Sequence, residues 1–289
     1  SLHGTKAPLI LFLLFLILNT LLCSAQTATY YWRDSIIKSQ GDTLNGKKIG
    51  LWKEWYENGA LWSTGSFSEG EKTGLWKYWY KDGNKWSELN MDSGLCVNWY
   101  SKGQLEKKGS VQGRVKEGKW LSWYPDGTLK KEDNYRQGEL DGFISSWFDN
   151  GKKEFEGYYS NGLMNGFVTW WNKNGNKDME GMMQKDKQQS QWTYYYPSGK
   201  KGSEGNFENG EEEDIWTYWY ENGEKLKSGS FKNGIKQGVW TTWFENGTKD
   251  HEGSFNDGKE DGKWVSWYPC EDPCPDKGGS QKKDDGYFK

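Results

Sequence analysis

A segment of 24 residues, GLWKEWYENGALWSTGSFSEGEKT from Gly50 to Thr73, recurs down the chain, and this periodicity constrains the fold more than any other feature. Units start at Gly50, Gly74, Gly94, Gly118, Gly142, Gly166, Ser190, Asp214, Gly238 and Gly262, so every step is 24 residues except that of the second unit, which is 20. A fixed period of this length predicts supersecondary units stacked on one another, none able to bury its apolar face alone.

Aligned, the units read Gly-x-Trp-x-x-Trp-Tyr-x-x-Gly, five further residues, then Gly-x-Phe/Tyr-x-x-Gly. Sixteen of the 20 Trp stand in the two Trp columns, which makes them part of the architecture. The position after the second Trp is aromatic except at Asn172. Trp32, Trp62, Trp86 and Trp170 lie outside the columns. Leu, Ile, Val and Phe make up less than a fifth of the chain, a composition that alone suggests disorder. The aromatic residues reverse that reading, because each buried Trp or Tyr removes on the order of 150–250 Å² from water.

Asn58-Gly59, Asp82-Gly83, Asp126-Gly127, Asn150-Gly151, Asn174-Gly175, Asn222-Gly223 and Asn246-Gly247 share one column. They predict a two-residue type I′ hairpin turn between a strand at 51–56 and its partner at 60–67. In that register Glu57 faces Ala60, Trp52 lies opposite Gly65, and Trp62 and Trp86 sit directly across from Trp55 and Trp79. The missing side chain of Gly65 leaves room for the Trp52 indole. A second glycine column, which includes Gly70 and Gly138, marks the turn into the next unit. Alternation puts Trp52, Glu54 and Tyr56 on one face and Lys53 and Trp55 on the other. The expected fold is all-β, with tandem β-hairpin repeats forming one elongated, twisted antiparallel sheet.

The pattern resembles the MORN repeat in its bacterial variant form, from Gly50 to Tyr268. It differs from the better-known eukaryotic form, which starts Tyr-x-Gly and lacks the paired Trp columns. The resemblance implies hairpins laid side by side and a binding or scaffolding role toward proteins and lipids. Bacterial chains built this way are often labelled YwqK-type antitoxins.

Residues 1–25 read as an export signal, with Lys6 before an apolar run from Leu9 to Leu18 and Cys23-Ser24-Ala25 before Gln26. The run is short for a membrane span. A lipid anchor on Cys23 and an uncleaved anchor are the competing readings, the first poorly served by bulky Leu22. Residues 26–49, with Tyr30, Tyr31 and Trp32, read as a degenerate N-terminal capping unit. Residues 50–268 hold nine units and the start of a tenth, and 269–289 a Cys- and Pro-containing insertion. Both ends read as truncated. Cys270 and Cys274 stand close together in WYPCEDPCPDKGG, which in an exported protein points to a disulfide; metal binding is disfavoured because no His or further Cys lies near. Cys96 replaces the first-column Trp and reads as a small buried thiol.

The net charge of −3, becoming −4 once Lys6 leaves with the signal, provides no basic footprint for nucleic acid. An integral membrane protein is not expected. His251 is the one histidine left after cleavage, and no nucleophile or phosphate-loop motif accompanies it. No catalytic residue and no cofactor are expected, although a catalytic domain beyond Lys289 would not be visible here. Nearly every distinctive residue recurs at the period, so function should be spread along a surface. The expectation is an exported, non-catalytic scaffold that binds a protein partner at the cell envelope. A glycan- or lipid-binding module using exposed Trp and Tyr is the alternative, and an antitoxin-like role against an extracytoplasmic toxin a third. Trp55, Trp62, Trp79 and Trp86 form the candidate contact patch, weighed against simple cross-strand packing.

Overall fold

The computed structural model describes residues 24–113, 115–269 and 282–288. The chain is all-β, built of hairpins whose strands pair antiparallel with their sequence neighbours. It divides after Arg114 into two compact units, residues 125–127 counting with the first. In the first, eight strands from Gln26–Arg33 to Leu105–Gln112 pair in succession. In the second, the succession runs from Val115–Trp123 to Lys282–Phe288. Residues 26–49 form a hairpin of their own, Gln26–Arg33 with Ile36–Leu44. The tenth hairpin is closed by Lys282–Phe288, which sets Gly286 opposite Trp264. Residues 1–23, Cys23 among them, and the Cys270–Cys274 pair lie outside the described residues.

The Asn-Gly column does not form type I′ turns. That turn needs positive φ at both central residues, and in this column only the glycine has it, as at Gly59 (φ 82°). Gly59 N donates to Tyr56 O at 3.0 Å and Tyr56 N to Ala60 O at 2.9 Å, which closes a three-residue loop. The reason lies in the Asn side chain: Asn58 Oδ1 accepts from Ala60 N at 3.1 Å, a local bond available with right-handed φ. Type I′ geometry occurs instead between repeats, where both residues of Glu69-Gly70 (φ 49° and 90°), Asn161-Gly162 and Asn209-Gly210 are left-handed.

The register changes accordingly. The three-residue loop places Trp55 opposite Leu61, and a bulge at Trp62 restores the count, so that Glu54 faces Ser63 and Trp52 faces Gly65. The expected pairing of Trp62 with Trp55 is therefore corrected, and so is that of Trp86 with Trp79, because Trp79 pairs with Lys85. The same double shift recurs in later hairpins.

Gly65 is paired with Trp52, yet the ring lying on it belongs to the next repeat. A Cβ at Gly65 would stand 2.3 Å from Trp76 Cδ2, and Trp52 lies in the same way over Gly41. Where a second bulge interrupts the ladder between repeats, the Trp76 Nε1 donates to Ser66 O at 3.1 Å, as Trp52, Trp192, Trp216 and Trp240 do to Asp42, Met182, Asn206 and Ser230. Lysine covers the other side of the ring: Lys72 Nζ stands 3.7 Å from the Trp76 centroid and Lys48 Nζ 4.0 Å from that of Trp52. The Trp52 and Trp76 indoles are thus enclosed between a glycine and an ammonium, with Phe67 edge-on to both. Trp52 and Trp76 are fully buried on a single layer of sheet.

Three hairpins lack the first-column Trp, and two of them carry Ile144 and Val168 in its place. Phe155 fills the space over Gly157 there, 5.0 Å from Trp170, which itself reaches Trp192. Trp170 occupies the column of Glu54, and its ring joins the hydrophobic cluster around Val168 and Trp192. Lost indole volume in one column is replaced from two others, as close packing requires.

Candidate functional site

The first unit carries a row of aromatic rings on the Trp52 face. Tyr56, Trp62, Tyr78, Trp86 and Tyr80 follow one another with centroids 6.0–6.4 Å apart, within the range of favourable ring contact. Alternation puts Tyr56 and Tyr78 on this face. The bulge adds Trp62 and Trp86, because the extra residue turns the side chain that would have faced the other way. Trp62 and Trp86 stay 36% and 37% exposed.

The phenols of the row are already engaged. Tyr56 Oη donates to Trp79 O and Tyr80 Oη to Trp99 O, each at 2.9 Å, while Lys72 Nζ donates to Tyr78 Oη at 3.2 Å. Burial, then the charge of Glu54, then Cys96, push the Tyr78 phenol up to about 12. Burial lowers the Lys72 ammonium, with Glu54 opposing and Lys48 assisting. Tyrosine and lysine heads are thus committed to the sheet, and the row offers outward mainly the faces of Trp62 and Trp86. Such a surface suits contact with a partner that brings its own apolar groups.

The four tryptophans chosen from the sequence do not meet as one patch. Trp62 and Trp86 are joined through Tyr78, whereas Trp55 and Trp79 are half-buried on the opposite face, paired with Leu61 and Lys85. On that face Lys85 bonds Glu88 at 2.9 Å and stands 4.8 Å from the Trp99 centroid, a structural device repeated by Lys201, Glu204 and Trp219. Tyr56, Tyr78, Tyr80 and Lys72 were missed as members of the row, although alternation along 76–80 already places Tyr78 and Tyr80 beside Trp76. Trp32 is likewise structural, since its Nε1 donates to Trp55 O at 3.0 Å, the bond a phenol makes in later repeats. Asn172, in the same column as the phenols, instead bonds Pro197 O with its amide.

Among the described residues, no group of three or more His, Cys, Asp or Glu is placed to hold a metal ion, and no helix is long and apolar enough to cross a membrane. Five stretches of the chain match the MORN repeat variant: residues 48–69, 72–93, 116–137, 215–233 and 236–257. MORN repeats generally bind proteins or membranes. No curated protein matches the sequence. Solved structures similar to the chain include those titled TcdB2-TccC3 and TcdB2-TccC3-Cdc42, each at 10% identity and a TM-score of 0.19 over 85% of this chain. The chain spans about 14% of the length of those proteins, and likeness at that level carries over neither fold nor function.

Proposed function

We propose that the chain is a non-catalytic repeat scaffold, exported to the cell envelope, that holds a protein partner on the aromatic row of its first unit. The observation that carries the reading is the state of Trp62 and Trp86: two large rings left open beside the buried Trp52 and Trp76, whereas Trp32, also exposed, is tied by its Nε1 to Trp55 O. Ring faces whose polar neighbours are internally bonded lose little solvation when covered. Export rests on the N-terminal sequence, Lys6 followed by an apolar run and Ala25 before Gln26. An antitoxin-like variant of the role requires a toxin that acts in the same compartment.

The test compares the wild-type chain with a Trp62→Ala, Trp86→Ala double variant as bait for envelope proteins. The variant is expected to lose the wild-type partner with nearly unchanged melting temperature. If it binds the same protein with unchanged affinity, or loses binding only by unfolding, the row is structural. If envelope glycan or lipid is retained through these rings in place of protein, the scaffold reading gives way to a glycan- or lipid-binding one. Mass measurement of the mature chain tests export independently, because signal cleavage leaves Gln26 at the N-terminus.

A further inference from the structure

Three departures from the repeat columns fall in the hairpin that starts at Ser190. Serine stands there in place of glycine, Gln191 takes a position that holds an apolar residue in most other repeats, and Tyr195 is the one substitution in the second Trp column. Ser190 has φ 58°, a left-handed conformation costly for serine and adopted by glycine at most other repeat starts. Strain of this kind accumulates where a site needs a particular side chain.

Ser190 and Gln191 border an open groove on the face opposite the indole layer, within the second unit, and Tyr195 is bonded to Glu180 of its lining. Phe167 and Met182, a cross-strand pair, form one wall and are 55% and 40% exposed. Ser190 and Gln191 stand beyond them, where the ladder to the Met182 strand is interrupted. Thr193 lies between Glu180 and Glu204, cross-strand to each. Glu180 accepts from Lys177 Nζ at 2.7 and 2.9 Å and from Tyr195 Oη at 2.6 Å. Burial raises its carboxyl, but those bonds hold it below the usual range. Glu204 Oε2 accepts from Lys201 Nζ at 2.6 Å, and its other oxygen is not used in that bond.

The chemistry of this lining selects among ligands. Both carboxylates are matched by a lysine, so the groove does not favour an ion. The strands beneath it are paired on both sides, which leaves no ladder for an added peptide strand. What remains is an exposed phenyl face beside an amide, two hydroxyls and a carboxylate oxygen, short groups of which the first three both donate and accept. A sugar ring has the complementary form, an apolar C–H face edged with hydroxyls.

We propose that this groove binds a neutral saccharide, with Phe167 against the C–H face of one ring and Gln191, Thr193 and Glu204 bonded to its hydroxyls. The site is separate from the aromatic row and does not depend on its role. To test it, the full chain is titrated with cellotetraose, maltotetraose and chitotetraose, and binding is followed by calorimetry and by the Gln191 side-chain amide signals in nitrogen–proton spectra. At least one probe is expected to shift those signals with a Kd on the order of 1 mM. Phe167→Ala and Gln191→Ala should each weaken that binding about tenfold, a free-energy change of about 1.4 kcal/mol, while Phe167→Tyr retains it. Ile215→Ala, on an exposed residue of the same face outside the groove, should leave it unchanged. The proposal is overturned if none of the three probes binds at about 10 mM, or if a bound probe is held equally well by Gln191→Ala, whose exposed position makes unfolding an inadequate explanation.

Discussion

At the scale of single residues, the strand-interior glycines carry more structural weight than their size suggests. A glycine normally weakens a strand, since it costs entropy and offers nothing to pack. Here Gly41, Gly65, Gly181, Gly205 and Gly229 are each the floor on which the next repeat's indole lies. At Gly229 an added Cβ would come within 2.2 Å of Trp240 Cδ2, and the ring sits against strand backbone with its Nε1 bonded to Ser230 O. Gly229→Ala should therefore cost about 1–3 kcal/mol through overpacking and expose an indole. Denaturant unfolding combined with tryptophan emission measures both, and an unchanged midpoint with unchanged emission would show that the indole does not rest there.

At the scale of the hairpin, the two kinds of connection exchange the roles that composition suggests. The Asn-Gly tips use Asn as a side-chain acceptor, whereas the connections between repeats demand two left-handed residues in a row. Glu69 meets that demand with φ 49°, at a position where other repeats place Asn161, Asn209 and Asn233. Asparagine tolerates this region better than glutamate. Glu69→Asn is expected to raise stability by roughly 0.5–1 kcal/mol, visible as a higher denaturant midpoint at constant m-value. The bulge beyond each tip has a second consequence, because it decides which face receives the residue at position 62 of the first full repeat. Glu106 and Glu154 occupy the equivalent place in later hairpins, so a tryptophan at the bulge is particular to Trp62 and Trp86.

At the scale of the whole chain, each repeat's ring needs only the glycine strand before it, and stability should follow nearest-neighbour rules. Deleting residues 214–237 brings Trp240 to the floor now used by Trp216, at Gly205. The shortened chain is expected to keep a β-type far-ultraviolet spectrum and a cooperative melt, and a spectrum of unfolded chain would show that the repeats are not interchangeable. Alkali should act on the array through its phenols. Tyr78 and Tyr218 are both pushed up to about 12, by burial first and then by carboxylate charge from Glu54 and Glu212 respectively, from an ordinary value of 10.0. Between those values the unfolded chain releases protons that the folded chain retains, so their contribution is complete below pH 10.0 and is lost as pH rises toward about 12. Chemical denaturation at increasing pH, followed together with tyrosinate absorbance, should show stability falling across that window; a flat profile would mean that the phenols titrate freely.

The repeat period, the glycine and Trp columns and strand alternation were sufficient to determine an all-β chain of hairpins, and to set Trp52 opposite Gly65. They determined this because each depends on local geometry that recurs every 24 residues. They also singled out Trp62 and Trp86 as exceptions to the columns. The company those two rings keep was decided only in the folded sheet. A bulge changes the face of a side chain by adding one unpaired residue, and one compensated by a longer turn leaves the outer register intact, so pairs inferred from the turn outward agree at Gly65 and fail at Leu61. The ring over Gly65 likewise comes from Trp76, because an indole reaches across to the preceding strand, a contact between repeats that no pattern within one repeat contains.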